Sequence, residues 1–327
     1  MQHRTLGTNG FNISEVGLGC WQIGGNWGGT IDENSAFDIL QEAVNQGITF
    51  FDTADVYGDG RSERLIGEFL KRSDQDITVA TKFGRQSHIF PGNYTSELLR
   101  KGIEESCERL GVSQLDLVQL HCIPTEELRK GDVFDWLRQL KSEGLIKAFG
   151  ASVESVEEGL ICLDQEGLQS LQVIYNVFRQ KLTNELLPQA AKKGVGIIVR
   201  LPLASGLLSG KFRKDTKFDK EDHRHFNKDG QIFNVGETFA GLPYDKGVEL
   251  VDALKEKAPD GMSILQMSLR WILDHPEVTT IIPGASRVEH VMSNAAASSL
   301  PSLSPTLLED LSDFYREEIH EHVRGTY

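Results

Sequence analysis

Residues 15–22 read EVGLGCWQ, and this stretch decides between two folds that both alternate strands with helices. In the open nucleotide-binding sheet, the turn after the first strand carries GxGxxG. Glycine there lets the backbone approach a pyrophosphate and lets the next helix pack closely. Here GLGCWQ, Gly17 to Gln22, has glutamine at the third glycine position, which counts against that fold.

Working outward, short β-branched runs alternate with segments of helical length, the pattern of βαβ units. The candidate strands are EVGLGCW (15–21), TFFDTA (49–54), ITVATKF (77–83), LDLVQLH (115–121), IKAFGAS (146–152), LQVIYN (171–176), GIIVRLP (196–202) and TTIIPGA (279–285). Eight such units predict a closed (β/α)8 barrel, an α/β fold of the TIM-barrel type, as one domain over residues 1–327. In SAFDILQEAVNQG, Phe37, Leu40 and Val44 recur at helical spacing and Gly47 stops the run; Ser155 with Glu158, and Ser304 before Pro305, read as helix starts. RTLGTNGFNIS before the first barrel strand reads as a β-hairpin capping the barrel bottom. The long Gly-, Lys- and Asp-rich stretch after GIIVRLP is expected to be a mobile surface loop, either a lid or a disordered insertion.

Composition narrows the class. The chain is 39% apolar and 25% charged, as in ordinary globular proteins, with no apolar window of membrane-spanning length and a polar start; a cytoplasmic location is expected. A net charge of −14 opposes nucleic-acid binding, which needs clustered Lys and Arg. Cys20, Cys107, Cys122 and Cys162 lie far apart without a CxxC pair, so reduced thiols are expected rather than disulfides or a zinc cage.

In such a barrel the reactive groups stand at the C-terminal ends of the strands. Asp52, Lys82 and His121 fall there on three consecutive strands about 4.8 Å apart, with Tyr57 on the intervening loop. A tyrosine has an ordinary pKa of about 10, and an adjacent ammonium lowers it. A carboxylate beside the lysine keeps that ammonium charged, so the set protonates an oxygen on which negative charge develops, with His121 as a second donor. Taken singly, each has a bland reading: a structural Asp52–Lys82 ion pair, a core histidine, a packed tyrosine. Their joint placement favours chemistry, while Asp55 reads as a loop or cap residue.

At these residues the chain resembles the aldo-keto reductases, from RTLG to about Asn294, and within them the branch that includes potassium-channel β subunits. FDTAxxYG supplies Asp52 and Tyr57, the TK pair Lys82, and the end of the next strand His121. The resemblance implies hydride transfer from NADPH to an aldehyde or ketone, with Tyr57 as general acid, Lys82 and Asp52 tuning it and His121 orienting the substrate. It also implies a nicotinamide site at Ser152 and Gln172, with Asn176 a weaker candidate, and a pyrophosphate loop at Leu203, Ser205, Gly206, Leu208 and Lys211 whose N–H groups cradle phosphate. Gly284, Ser286, Arg287 and Asn294 would form an adenosine-phosphate site at a helix N-terminus. Arg287 beside Ser286 suits a 2′-phosphate and so NADPH rather than NADH.

Three positions depart from the family pattern. Arg200 stands where an aromatic ring often covers the nicotinamide, His290 where glutamine is frequent, and Ser293 where glutamate is. Arg200, His290 and Trp21 remain cofactor-site candidates. Trp21 and Trp27 either wall the substrate pocket or pack at the rim, while His223 to His225 and His320 to His322 lack the company of a metal site and read as solvated surface. Two other readings stay open: an NADPH-binding regulatory protein with weak turnover, and a phosphate-binding barrel lyase or isomerase. The implied partner of the leading reading is a small carbonyl substrate; nucleic acid and membrane are not expected, and oligomeric state is not legible.

Overall fold

The computed structural model describes residues 1–25 and 31–327. It opens with an antiparallel hairpin, β1 (His3–Thr5) and β2 (Asn12–Ser14), in which Arg4 faces Ile13. Eight parallel strands follow: β3 (Leu18–Gly19), β4 (Phe50–Asp52), β5 (Thr78–Phe83), β6 (Leu115–His121), β7 (Ile146–Ser152), β8 (Leu168–Ile174), β9 (Gly196–Arg200) and β10 (Val278–Ile281). Each pairs with its sequence neighbour. The first and last are joined by bridges from Val16 to Ile281 and from Gly19 to Gly284, with Gly17 N donating to Ile281 O at 2.8 Å, so the sheet curls into a barrel.

Side chains along a strand alternate between faces. One parity fills the barrel with Phe50, Ala80, Leu117, Ala148, Ile198 and Ile282, and Leu6 and Ile13 of the hairpin pack onto them. The hairpin is therefore the bottom plug that its TNG turn forecast. The opposite parity, with Phe51, Val79, Val118, Phe149 and Val199, packs outward beneath the helices. Two residues above the inner apolar layer the same inward parity turns polar: Asp52, Lys82, Gln119, Gln172 and Arg200. Strand periodicity thus sets the polar floor of the barrel mouth.

Helix starts follow the expected chemistry. Ser155 accepts from Glu158 N, and Ser304 accepts from Leu307 N with Pro305 in the first turn. The helix Glu33–Asn45 buries Ala36, Ile39, Leu40 and Ala43, whereas Phe37 and Val44 stay at the boundary, a stripe turned from the one read in the sequence. No helix among the described residues is long and apolar enough to cross a membrane.

The segment after β9 differs from the expectation of a structureless loop. It folds through 3-10 turns at Ala204–Ser209, Val235–Glu237 and Phe239–Gly241 and a short helix at His223–Phe226. Asp222, Asn227 and Thr238 are buried in it, with Asn227 Nδ2 donating to Thr238 Oγ1 at 3.1 Å. Polar residues that looked like solvated loop instead satisfy one another, and the segment forms a strap over the barrel mouth.

Candidate active site

Lys82 is the hub of the mouth. Its buried ammonium donates to Asp52 Oδ1 at 2.5 Å, Thr53 O at 2.8 Å and the Tyr57 hydroxyl oxygen at 3.2 Å. An ammonium has three hydrogens, and these three acceptors use them all. The second Asp52 oxygen accepts from Gln172 Nε2 at 2.6 Å and Gln119 Nε2 at 3.2 Å. Burial alone would push Lys82 down, but Asp52 and Tyr57 outweigh it and hold the ammonium above its ordinary range. Gln119 was missed in the sequence; it lies two residues before His121 in LDLVQLH, at the inward parity, and its amide in that place was the signal.

Tyr57 reaches the mouth from the turn after β4, where Tyr57 N donates to Ala54 O at 3.1 Å. The next residue, Gly58, has φ +62, and a Cβ there would come within 2.0 Å of Gly24 O. Only glycine lets the two loops close up, which brings the Trp21 ring centroid to 6.2 Å from that of Tyr57. Burial pushes Tyr57 up to about 12; Lys82 pulls it down, as expected, but is outweighed. Since the phenol oxygen accepts from Lys82, the phenol keeps its own proton free to donate.

His121 packs edge-on against Tyr57, ring centroids 5.9 Å apart. Burial, followed by the cations Lys82, Arg85 and Arg200, holds it well below its ordinary value, so the imidazole is neutral. His121 Nδ1 is buried without a hydrogen-bond partner among the described residues. Asp55 lies in the turn after β4, as a loop residue should, but is not solvated there. It is buried, accepts from Gln86 Nε2 at 2.9 Å, and is pushed up to about 7, first by burial and then by Glu63.

The remaining cofactor-site candidates divide. Ser152 and Gln172 lie buried at the mouth, but the Gln172 amide is engaged with Asp52, and Ser152 Oγ accepts from Cys122 Sγ at 3.5 Å. Asn176 turns away: its side chain donates to Leu201 O and accepts from Phe178 N, so it braces backbone. Leu208 is a core residue, and the N–H groups of Gly206 and Leu208 both donate to Leu203 O, which removes them from an anion cradle. Arg200 presents a paired guanidinium, with Nη1 at 2.5 Å from Glu237 Oε1. Trp27 lies outside the described residues.

Around the helix Val288–Ala295 the candidates do converge. Ser286 and Arg287 are exposed beside its first turn, Arg287 Nε donates to His290 Nε2 at 3.0 Å, and Asn294 Nδ2 reaches Gly284 O at 3.4 Å. Burial, then Arg287 and Lys211, push His290 down, so both cations face one spot. The buried Gln22 Oε1 has no hydrogen-bond partner among the described residues, and a Cβ on Gly284 would come within 2.3 Å of it. Exposed cations, a helix N-terminus and an orphaned polar atom behind a glycine fit the phosphates of a dinucleotide.

Two histidine groups separate. His320 and His322 are exposed, whereas the His223 ring sits 4.9 Å from that of Trp21 beside Asp222, so His223 belongs to the mouth.

The sequence profile of the Aldo/keto reductase family matches residues 15–315. The chain is 30% identical over 298 residues to the Aldo-keto reductase YhdN of Bacillus subtilis, covering 88% of this chain and 86% of that protein. It is 28% identical to an NADH-specific methylglyoxal reductase of Escherichia coli, covering 96% and 99%. Among solved structures it resembles the glycerol dehydrogenase AKR11B4 of Gluconobacter oxydans at TM-score 0.78 and 28% identity, covering 99% of this chain and 98% of that one.

Proposed function

The chain belongs to the aldo/keto reductase family, and from that premise we propose that it reduces aldehyde or ketone carbonyls to alcohols with NADPH, Tyr57 acting as proton donor. The observation that carries the reading is the Lys82 ammonium, which spends all three hydrogens on Asp52, Thr53 O and Tyr57 and so leaves the phenol proton free to move. When bound, the dinucleotide supplies the hydride. Tyr57 passes its proton to the carbonyl oxygen as charge grows there, and the tyrosine oxygen is then stabilised by Lys82, whose charge Asp52 holds in place. A neutral His121 offers an N–H to the same oxygen and fixes the carbonyl's direction.

Lys211, Ser286 and Arg287 hold the phosphates, with Asn294 steadying Gly284; Trp21, Ser152, Gln172 and Arg200 surround the reactive end. The preference for NADPH over NADH rests on Arg287, whose planar fork matches a 2′-phosphate. The test is NADPH consumption with a panel of aldehydes and ketones. Turnover that is lost in Tyr57→Phe while NADPH still binds supports the reading; tight NADPH binding without turnover of any carbonyl by the wild type overturns it in favour of a binding protein.

A further inference from the structure

The mouth beside His121 carries charges that Asp52, Tyr57, Lys82 and His121 leave unused. Arg200 is nine-tenths buried at the end of β9; besides Glu237, its Nη2 reaches Val153 O at 3.3 Å and Cys122 Sγ at 3.6 Å. Glu237 is not on the barrel: it ends the turn Val235–Glu237 in the strap. The same turn is clipped by Ser205, whose hydroxyl donates to Glu237 O at 3.1 Å and accepts from Phe239 N at 3.2 Å. Next to it, Asn234 Nδ2 donates to Glu154 Oε2 at 3.2 Å, and Glu154 is bridged to Arg85 at 3.1 Å. Sulfur and carboxylate oxygens of Cys122, Glu154 and Glu237 lie within 4.8 Å of one another, a grouping that suits a metal ion, but the guanidinium groups of Arg85 and Arg200 already supply the positive charge there.

From this arrangement we infer that Glu237 is a positioning residue: its salt bridge to Arg200 fastens the strap across the mouth, so that lifting the strap strands a buried guanidinium. A buried charge that loses its partner is strongly unfavourable, which makes the bridge a far stronger fastening than an exposed ion pair. The strap backbone needs fastening, because Ser205, Phe239 and Ala240 all take left-handed φ values, +57, +53 and +58. Non-glycine residues hold such backbone only where surrounding contacts impose it. Arg324 Nε donates to Gly241 O at 2.9 Å and the buried Arg179 donates from Nη1 to Ala240 O at 3.4 Å, so the backbone after the turn is held as well. The fastened strap keeps the His223 ring against Trp21 and thereby forms the wall that a substrate meets opposite Tyr57.

The kinetic consequence rests on the carbonyl-reductase reading; the structural one does not. The test is amide hydrogen exchange on the cofactor-free full chain, read for peptides covering 234–241, together with steady-state kinetics. Glu237→Gln is expected to speed exchange there about tenfold while β5 and β6 stay protected, with Glu237→Asp in between. Arg200→Gln combined with Glu237→Gln should exchange no faster than the faster single variant, since the two act as one contact. Ser205→Ala, which strands no charge, should speed the same peptides by a smaller factor and serves if Glu237→Gln does not fold. In turnover, Glu237→Gln should raise KM for the carbonyl about tenfold with kcat within about twofold, the signature of a lost binding wall that holds substrate and transition state alike. Wild-type exchange at 234–241 in both Glu237→Gln and Ser205→Ala overturns the inference, and so does a collapse of kcat at unchanged KM. A wild type without turnover would sink the reductase reading and leave the exchange result to decide the strap.

Discussion

Lys82 Nζ lies 2.5 Å from Asp52 Oδ1, with the two side chains only 1% and 3% exposed. Removing one partner of such a pair leaves an uncompensated buried charge, which costs about 3–5 kcal/mol. Asp52→Asn is therefore expected to lose stability of that order in urea unfolding, and to lose at least about tenfold in kcat because the ammonium no longer stays charged beside Tyr57. An Asp52→Asn protein as stable as the wild type would show that the pair is not a charged one.

Tyr57 keeps its proton to about pH 12, and His121 is neutral from well below its ordinary pKa. Neither group changes charge between about pH 6 and pH 9, so kcat/KM for carbonyl reduction should be flat across that window. An alkaline fall centred near pH 8 that persists in Asp55→Asn would count against Tyr57 as the donor.

Asp55 titrates near pH 7 in the folded chain against about 3.9 in an unfolded one. Between those values the native state holds a proton that the unfolded chain does not, so Asp55's contribution to stability is full below about pH 4, declines as pH rises and is lost above about pH 7. Asp55→Asn removes this slope. Thermal unfolding should show the variant gaining on the wild type between pH 5 and pH 8; parallel curves would exclude a raised Asp55.

Arg287 and Lys211 both act on His290 at the start of the helix Val288–Ala295. Arg287→Ala should weaken NADPH binding about tenfold, or about 1.4 kcal/mol, while leaving NADH nearly unchanged. Lys211→Ala should weaken both, as expected of a phosphate contact shared by the two. Fluorescence titration of each cofactor measures the difference, and equal losses of NADPH and NADH in Arg287→Ala would remove the 2′-phosphate assignment.

The barrel and the clustering of Asp52, Tyr57, Lys82 and His121 were legible because both follow from local rules. Strand periodicity put Asp52, Lys82 and His121 at one end of adjacent strands, and the TNG turn marked the hairpin. Competition for partners was not legible: Asn176 and Gln172 have the amides a carboxamide site wants, yet Asn176 braces Leu201 O, and Gln172 donates to Asp52. Leu208 resembled a phosphate-loop residue but packs into the core, because the 3-10 turn Ala204–Ser209 points its side chain inward.

By itself, the sequence determined the alternation, the inward parity of each strand and the chemical types at the mouth, since these depend on spacing within single segments. The tertiary structure alone decided that Asp55 is buried with a raised pKa, that His223 faces Trp21, and that Glu237 meets Arg200. Each of those outcomes depends on which distant segment excludes water from a polar group. That is a property of packing between elements, and no window of the chain contains it.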